Sequence, residues 1–463
     1  MASYDALRQR HVAYWAQIMP DQVRRLHMNR QQLQAERERR LRALLALAAL
    51  RSPWHRRRLS DVDLATATED DLTRIPPMTT SDLMAHWDEI VTDPRLSLAA
   101  VDRHLAGLTS DAYLLDEFHA IASGGSTGRR AVFVYGWNAW AAANAGFLRT
   151  MMWDRSVSPE LAAAPSTAAM VAAQNPAHMT SALGQTFASP AVQLQRFPVT
   201  LPVADIVAGL NACQPTLLIG YPTALAMLAG EARRGALRIS PLRIATTSEP
   251  LRPETRHSLE QQFGAPVANM YGTSEAGPVA VGCWRGPGMH LCDDLVIVEP
   301  VDSAGQPVEP GVLSDKVYIT PLTNPVLPLL RIELSDQVMV TGSACPCGSA
   351  HTMIADVQGR IEDIFTYQGG VTVHPHAYAS VLRRDPGVTT YQVRQTAAGA
   401  DISVVGSPAD PARIERALAD QLRRLGIAEP RVRITTVPEL ERLASGKVRS
   451  FVPLPAKEPA AAP

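Results

Sequence analysis

Residues 123–130 read SGGSTGRR and lie between two apolar runs, FHAIA and AVFVY. Glycine lets a backbone approach a ligand closely, and successive N–H groups in such a turn converge on an anion. Ser123, Ser126 and Thr127 add hydroxyl donors, and Arg129 and Arg130 add fixed positive forks. That set suits a phosphate; the plain alternative is a polar hairpin loop. It is not a Walker loop, because a GxxxxGK followed by Ser or Thr is absent. A second set suits a metal. CWRGPGMH supplies Cys283-x6-His290, and CPCG supplies Cys345-x-Cys347. Two thiolates in a tight turn plus a Cys/His pair fit tetrahedral zinc, against the alternative of buried free thiols. Four of the five cysteines fall between positions 283 and 347, which favours zinc. On a strand, Cys292 shares a face with His290 and competes as a ligand, and His351 is another candidate. No open coordination position is evident, so the site reads as structural; Cys213 reads as core.

These residues need a scaffold. A chain of 463 residues accommodates two or three domains. A formal net charge of -1 offers no electrostatic reason for a nucleic-acid partner. No run of about 18 apolar residues occurs, so no membrane span or membrane partner is expected. The N-terminus lacks a continuous apolar segment of signal-peptide type, and the odd, small cysteine count points to a reducing cytoplasm. The stretch RQQLQAERERRLRALLALAAL predicts a helix that packs one face and solvates the other, in preference to a basic membrane-surface helix.

In the middle of the chain, strand-like runs alternate with helical ones: TLLIGYP then TALAMLAGEARR, and LRIATTSEP then RPETRHSLEQQFG. This predicts a layered α/β core with parallel pairing, whose ligands bind beyond the carboxyl ends of the strands. From about Gly359 the chain becomes short-stranded and glycine-punctuated, with one amphipathic helix in PARIERALADQLRRLG and a strand in RVRITTV. The expected division is a large α/β domain over 1–358, a small α+β domain over 359–452, and a disordered proline- and alanine-rich tail over 453–463.

Six motifs occur in one order: the loop at 123–130, ATTSEPL at 245–251, MYGTSEAGP at 270–278, LPLLRIELSDQV at 327–338, GRIEDI at 359–364 and ASGKVRS at 444–450. In this order the sequence resembles the adenylate-forming superfamily of acyl-CoA synthetases, and within it the phenylacetate–CoA ligase-like branch. The branch resemblance rests on TSEP, YGTSE, LTNPVLPLLRIELSD, the Cys-x-Cys-Gly before the Gly-Arg hinge, and the opening SPWHRRRL…IPPMTTSDL. It runs from about residue 40 to 452.

The resemblance implies a large adenylation domain with a small mobile C-terminal domain. It implies ATP-dependent conversion of a small aromatic carboxylic acid to acyl-AMP, then transfer to coenzyme A. ATP and Mg²⁺ are the implied cofactors, beside structural Zn²⁺ on Cys283, His290, Cys345 and Cys347. Ser123, Gly124, Gly125, Ser126, Thr127, Gly128 and Arg129 would cradle the triphosphate, with Arg129 standing where the family usually has lysine. Glu275 would hold Mg²⁺, Ser274 would meet the α-phosphate, and Tyr271, Gly272 and Thr273 would line the nucleotide site. Ser248 and Glu249 would line the adenine pocket, and Asp336 and Arg360 would lie at the ribose. The RTGD-like motif reads ELSD, keeping Arg331 and Asp336 but not the threonine and glycine. Lys447 would be the catalytic cation and Glu362 the hinge. Trp137, His178 and Tyr221 are candidates for the acid pocket, with ordinary packing the alternative for each. Transfer of the adenylate to an amine or nitrogen nucleophile, or to a carrier-protein thiol, uses the same chemistry. A non-catalytic adenylate-binding protein is the reading from a different class. A homodimer is compatible with all three.

Overall fold

The apolar runs flanking the glycine-rich stretch form an antiparallel hairpin, β1 (His119–Ala122) with β2 (Val132–Tyr135), in which His119 pairs with Tyr135. In this computed structural model the described residues are 3–123, 131–189, 192–355, 357, 365–373, 376–382, 384–385, 387–441 and 450–454.

Parallel pairing requires a crossover long enough for a helix, and the middle of the chain provides several. β3 (Thr167–Ala172), β4 (Gln193–Pro198), β5 (Leu217–Gly220), β6 (Arg243–Thr247) and β7 (Val267–Thr273) pair in the order β4-β3-β5-β6-β7, all parallel. Helices Met179–Thr186, Val203–Cys213, Pro222–Arg233 and Pro253–Phe263 lie between consecutive strands. β5 and β6 are almost wholly buried, which explains their continuous apolar character. Pro253 opens the last helix at its first turn, and Gly264, at φ +64°, closes it in the left-handed region that glycine favours. The βα alternation read from the sequence is therefore the architecture observed.

Beyond β7 the sheet turns antiparallel through β8 (Gly277–Val281) and β9 (Met289–Leu291). β10 (Val296–Val301), β11 (Lys316–Pro321) and β12 (Ile332–Leu334) form a separate antiparallel sheet, and β13 (Met353–Ile354) returns to pair with β9. The helix Arg30–Arg51 starts on a capping box between Asn29 and Gln32. It buries Leu41, Leu44, Leu45 and Ala48 against Ile297, Leu322 and Leu330, as expected of a helix with one packed face.

After residue 364 a distinct core begins. β14 (Phe365–Thr366) and β15 (Thr372–Val373) form a hairpin, while β16 (Val388–Thr396), β17 (Gly399–Gly406), β18 (Arg431–Thr436) and β19 (Phe451–Val452) form a sheet in the order β18-β17-β16-β19. The helix Pro411–Arg424 buries Ile414, Leu418 and Leu422, spaced four apart, into this core. The expected boundary at Gly359 and the tail from 455 onward lie outside the described residues. Among the described residues no helix is long and apolar enough to cross a membrane.

Candidate functional site

The carboxyl ends of β5, β6 and β7 gather Tyr221, Ser248, Glu249 and the turn from Tyr271 to Gly277 at one edge of the sheet. This is where parallel α/β sheets bind ligands. The turn is shaped by close contacts. A Cβ added at Gly272 would stand 2.4 Å from Phe147 Cζ, so only glycine fits there without displacing the ring. Gly277 has a φ of +74°. Within the turn the Ala276 N–H donates to Thr273 Oγ1 at 3.2 Å.

Two tyrosines hold this turn. Tyr271 Oη donates to Asp336 Oδ2 at 2.9 Å, joining the end of β7 to the ELSD segment. Burial, then the charge of Asp336, pushes the Tyr271 phenol well above its ordinary value, so it remains a donor. Tyr135, the last residue of β2, donates to the Ser274 carbonyl at 2.8 Å. Between them Glu275 is pushed up to about 7, first by burial and further by the charge of Asp336; its own backbone N–H and the Thr273 hydroxyl oppose the shift. A carboxylate that is costly to ionise alone, beside a second acid, suits a cation. Glu275 thus fits an Mg²⁺ ligand.

Glu249 is tied to the helix that follows β5. Its Oε2 accepts from the Thr223 N–H at 3.1 Å and from Thr223 Oγ1 at 2.6 Å, capping the helix Pro222–Arg233. Ser248, beside it, holds a φ of +67°, unusual outside glycine and often found at functional sites. The buried Tyr221 hydroxyl accepts from the Ala173 N–H at 3.1 Å, bridging the ends of β5 and β3. His178 precedes the helix Met179–Thr186, and its N–H bonds to the Asn175 carbonyl at 2.9 Å. The Trp137 ring stacks on His11 of the first helix at 3.9 Å and on Tyr113 at 5.6 Å. Arg331 pairs with Glu299 at 3.0 Å and donates to the Ile75 carbonyl at 2.8 Å, a strut beneath the second sheet.

Ser123 closes the base of the glycine-rich stretch: its N–H bonds to the Ala131 carbonyl at 2.9 Å and its Oγ accepts from the Ala131 N–H at 3.0 Å. Gly124, Gly125, Ser126, Thr127, Gly128 and Arg129 lie outside the described residues, as do Arg360, Glu362 and Lys447. The residue that sequence reading missed is Tyr135. Its only signal was its place at the end of the strand that follows the glycine-rich stretch.

The four expected metal ligands do come together. One donor atom from each of Cys283, His290, Cys345 and Cys347 lies within 4.8 Å of all the others. The Cys283 and Cys345 sulfurs are 3.4 Å apart, and Cys347 Sγ is 3.3 Å from His290 Nε2. The neighbouring Cys283 thiol, then His290, draws the Cys347 thiol well below its ordinary value, while the hydrogen bond with Cys347, then burial, drives Cys283 upward. Three cysteine sulfurs and one imidazole nitrogen brought together in this way fit a tetrahedral zinc ion. The two competing candidates stand apart from it. β9 ends at Leu291, so Cys292 leaves the strand alternation. It meets the buried Arg149, which also forms a two-pronged pair with Asp294 at 2.9 and 2.7 Å. His351 has its ring nitrogens against the backbone carbonyls of Leu291, at 2.9 Å, and Arg25, at 3.1 Å.

Residues 123–315 match the family described as AMP-binding enzyme. The chain is similar to a phenylacetate-coenzyme A ligase of Thermus thermophilus, 27% identical over 379 residues, covering 79% of this chain and 78% of that protein. It is also similar to a phenylacetate-coenzyme A ligase of Pseudomonas putida, 29% identical over 170 residues, or 35% of this chain and 37% of that one. Its fold matches an open conformation of 2-hydroxyisobutyryl-CoA ligase in complex with 2-HIB-AMP and CoA. That match has a TM-score of 0.58 at 19% identity and covers 93% of each chain.

Proposed function

We propose that this chain, a relative of phenylacetate-coenzyme A ligases through its AMP-binding enzyme segment, activates a small aromatic carboxylic acid with ATP and transfers it to coenzyme A. A substrate carboxylate oxygen attacks the α-phosphorus of ATP, the bond to the β-phosphate oxygen breaks, and pyrophosphate leaves with acyl-AMP formed. The thiolate of coenzyme A then attacks the acyl carbonyl and AMP departs. The observation that carries this reading is the Tyr271–Gly277 turn, which brings Glu275 and the Tyr271–Asp336 pair to the carboxyl edge of a parallel sheet. When bound, Mg²⁺ neutralises charge on the phosphates.

The chain's own groups divide the remaining work. Glu275 binds the cation, Ser274 meets the α-phosphate, and Tyr271 and Asp336 orient the nucleoside. Ser248 and Glu249 border the adenine. The stretch from Ser123 to Arg129 receives the triphosphate, and Arg360 attends the ribose. Lys447, carried by the small C-terminal domain, meets charge developing between carboxylate and phosphate. Glu362 is the hinge on which that domain turns between the two half-reactions. Zn²⁺ on Cys283, His290, Cys345 and Cys347 is structural. Pyrophosphate release across a panel of acids tests the first half-reaction. Adding coenzyme A, then amines and a carrier protein, identifies the acceptor, and product appearing with an amine or carrier alone would replace coenzyme A in this reading.

A further inference from the structure

The side chains facing the nucleotide edge do not by themselves fix the turn that carries Glu275. Tyr135 reaches that turn from behind. Its ring is only 1% exposed, lies 5.6 Å from the Trp140 ring, and is fixed in the β1–β2 hairpin by the pairing of His119 with Tyr135. Its hydroxyl donates to the Ser274 carbonyl at 2.8 Å. In a trans peptide the C=O and the following N–H point in opposite directions. The N–H that follows the Ser274 carbonyl belongs to Glu275, so the same peptide plane opens the residue that bears the carboxylate. The phenol therefore holds the plane from which the Glu275 side chain springs.

We propose that Tyr135 is a positioning residue for Glu275: by pinning the Ser274 carbonyl, it fixes the peptide plane that leads into Glu275 and with it the orientation in which the carboxylate meets Mg²⁺. The claim rests on the reading of Glu275 as the Mg²⁺ ligand. Without the phenol the plane is free to rotate, and the carboxylate loses its aim.

Tyr135→Phe keeps the ring and removes only the hydroxyl. The probe is Mg²⁺ titrated in the presence of a non-hydrolysable ATP analogue, read as the rise in melting temperature that binding produces. The half-saturating Mg²⁺ concentration should rise roughly tenfold in Tyr135→Phe, while half-saturation by the acid substrate in the pyrophosphate assay stays at the wild-type value. An unchanged Mg²⁺ midpoint overturns the proposal. So does an equal weakening toward Mg²⁺ and acid, which marks a general structural role. Glu275→Gln is run alongside: if it leaves the Mg²⁺ midpoint at the wild-type value, the reading of Glu275 has failed independently of Tyr135. Should Tyr135→Phe not fold, 3-fluorotyrosine incorporated at position 135 provides a stronger donor of nearly the same shape. The midpoint should then fall below wild type, and an unmoved midpoint overturns the proposal.

Discussion

Glu275 is a carboxylate whose surroundings oppose its charge. Its ordinary value of 4.5 rises to about 7, with burial the largest cause. Between those values the folded state holds a proton that the unfolded chain has released. Stability from this group is therefore present below 4.5 and lost as pH rises through about 7. Glu275→Gln should remove that slope, so melting curves in EDTA between pH 5 and 8 should decline less steeply for the variant. The same variant should lose on the order of 10²–10³-fold in pyrophosphate release, as when one electrostatic contact to a reacting group is removed. Normal turnover by Glu275→Gln would dismiss it as the metal ligand. Gly272 makes a second residue-scale case. Gly272→Ala drives a methyl into the Phe147 ring and should cost about 1–3 kcal/mol in denaturant unfolding. Combining it with Phe147→Leu should recover part of that cost, and strict additivity of the two would show that the contact is not the cause.

At the scale of elements, the four candidate ligands join two stretches of chain: Cys283 just after β8 with His290 on β9, and the turn holding Cys345 and Cys347 ahead of β13. Purified protein should contain about one Zn²⁺ per chain. Cys345→Ser should lower that content and the melting temperature, whereas Cys292→Ser should keep the metal. Elemental analysis with full zinc in Cys345→Ser, or none in wild type, would refute the assignment. The sequence made this set legible because ligand spacing is a local property. It left Cys292 and His351 as competitors because alternation holds only while a strand continues, and β9 stops at Leu291. The βα units were equally legible from apolar runs followed by helical patterns. The role of Tyr135 was not: its partner, Ser274, is distant in the chain, and a tyrosine at a strand end looks like any other core aromatic. The stacking of Trp137 on His11 was out of reach for a related reason: His11 comes from a helix at the start of the chain and leaves no periodic trace.

At the scale of the whole molecule, the proposed reaction divides its machinery between two cores. Glu275, Tyr271 and Asp336 belong to the large sheet and its neighbour, while Lys447 falls between β18 and β19 in the sequence. If a turning domain serves the two half-reactions in sequence, Lys447→Ala should depress adenylate formation by about 10²–10³-fold. It should still transfer the acyl group from a chemically prepared acyl adenylate. Glu362→Pro, which restricts backbone rotation, should show the reverse pattern. Rapid-mixing assays of each half-reaction separate these outcomes, and an equal loss in both steps for Lys447→Ala would argue against a two-position cycle.

The most direct test of the central claim is product identification by mass spectrometry after incubating the purified protein with ATP, Mg²⁺ and individual aromatic carboxylic acids. The account predicts acyl-AMP and pyrophosphate with at least one acid, and consumption of that acyl-AMP to a thioester and AMP when coenzyme A is added. Release of ADP and inorganic phosphate, or bound nucleotide with no adenylate from any acid, would contradict it.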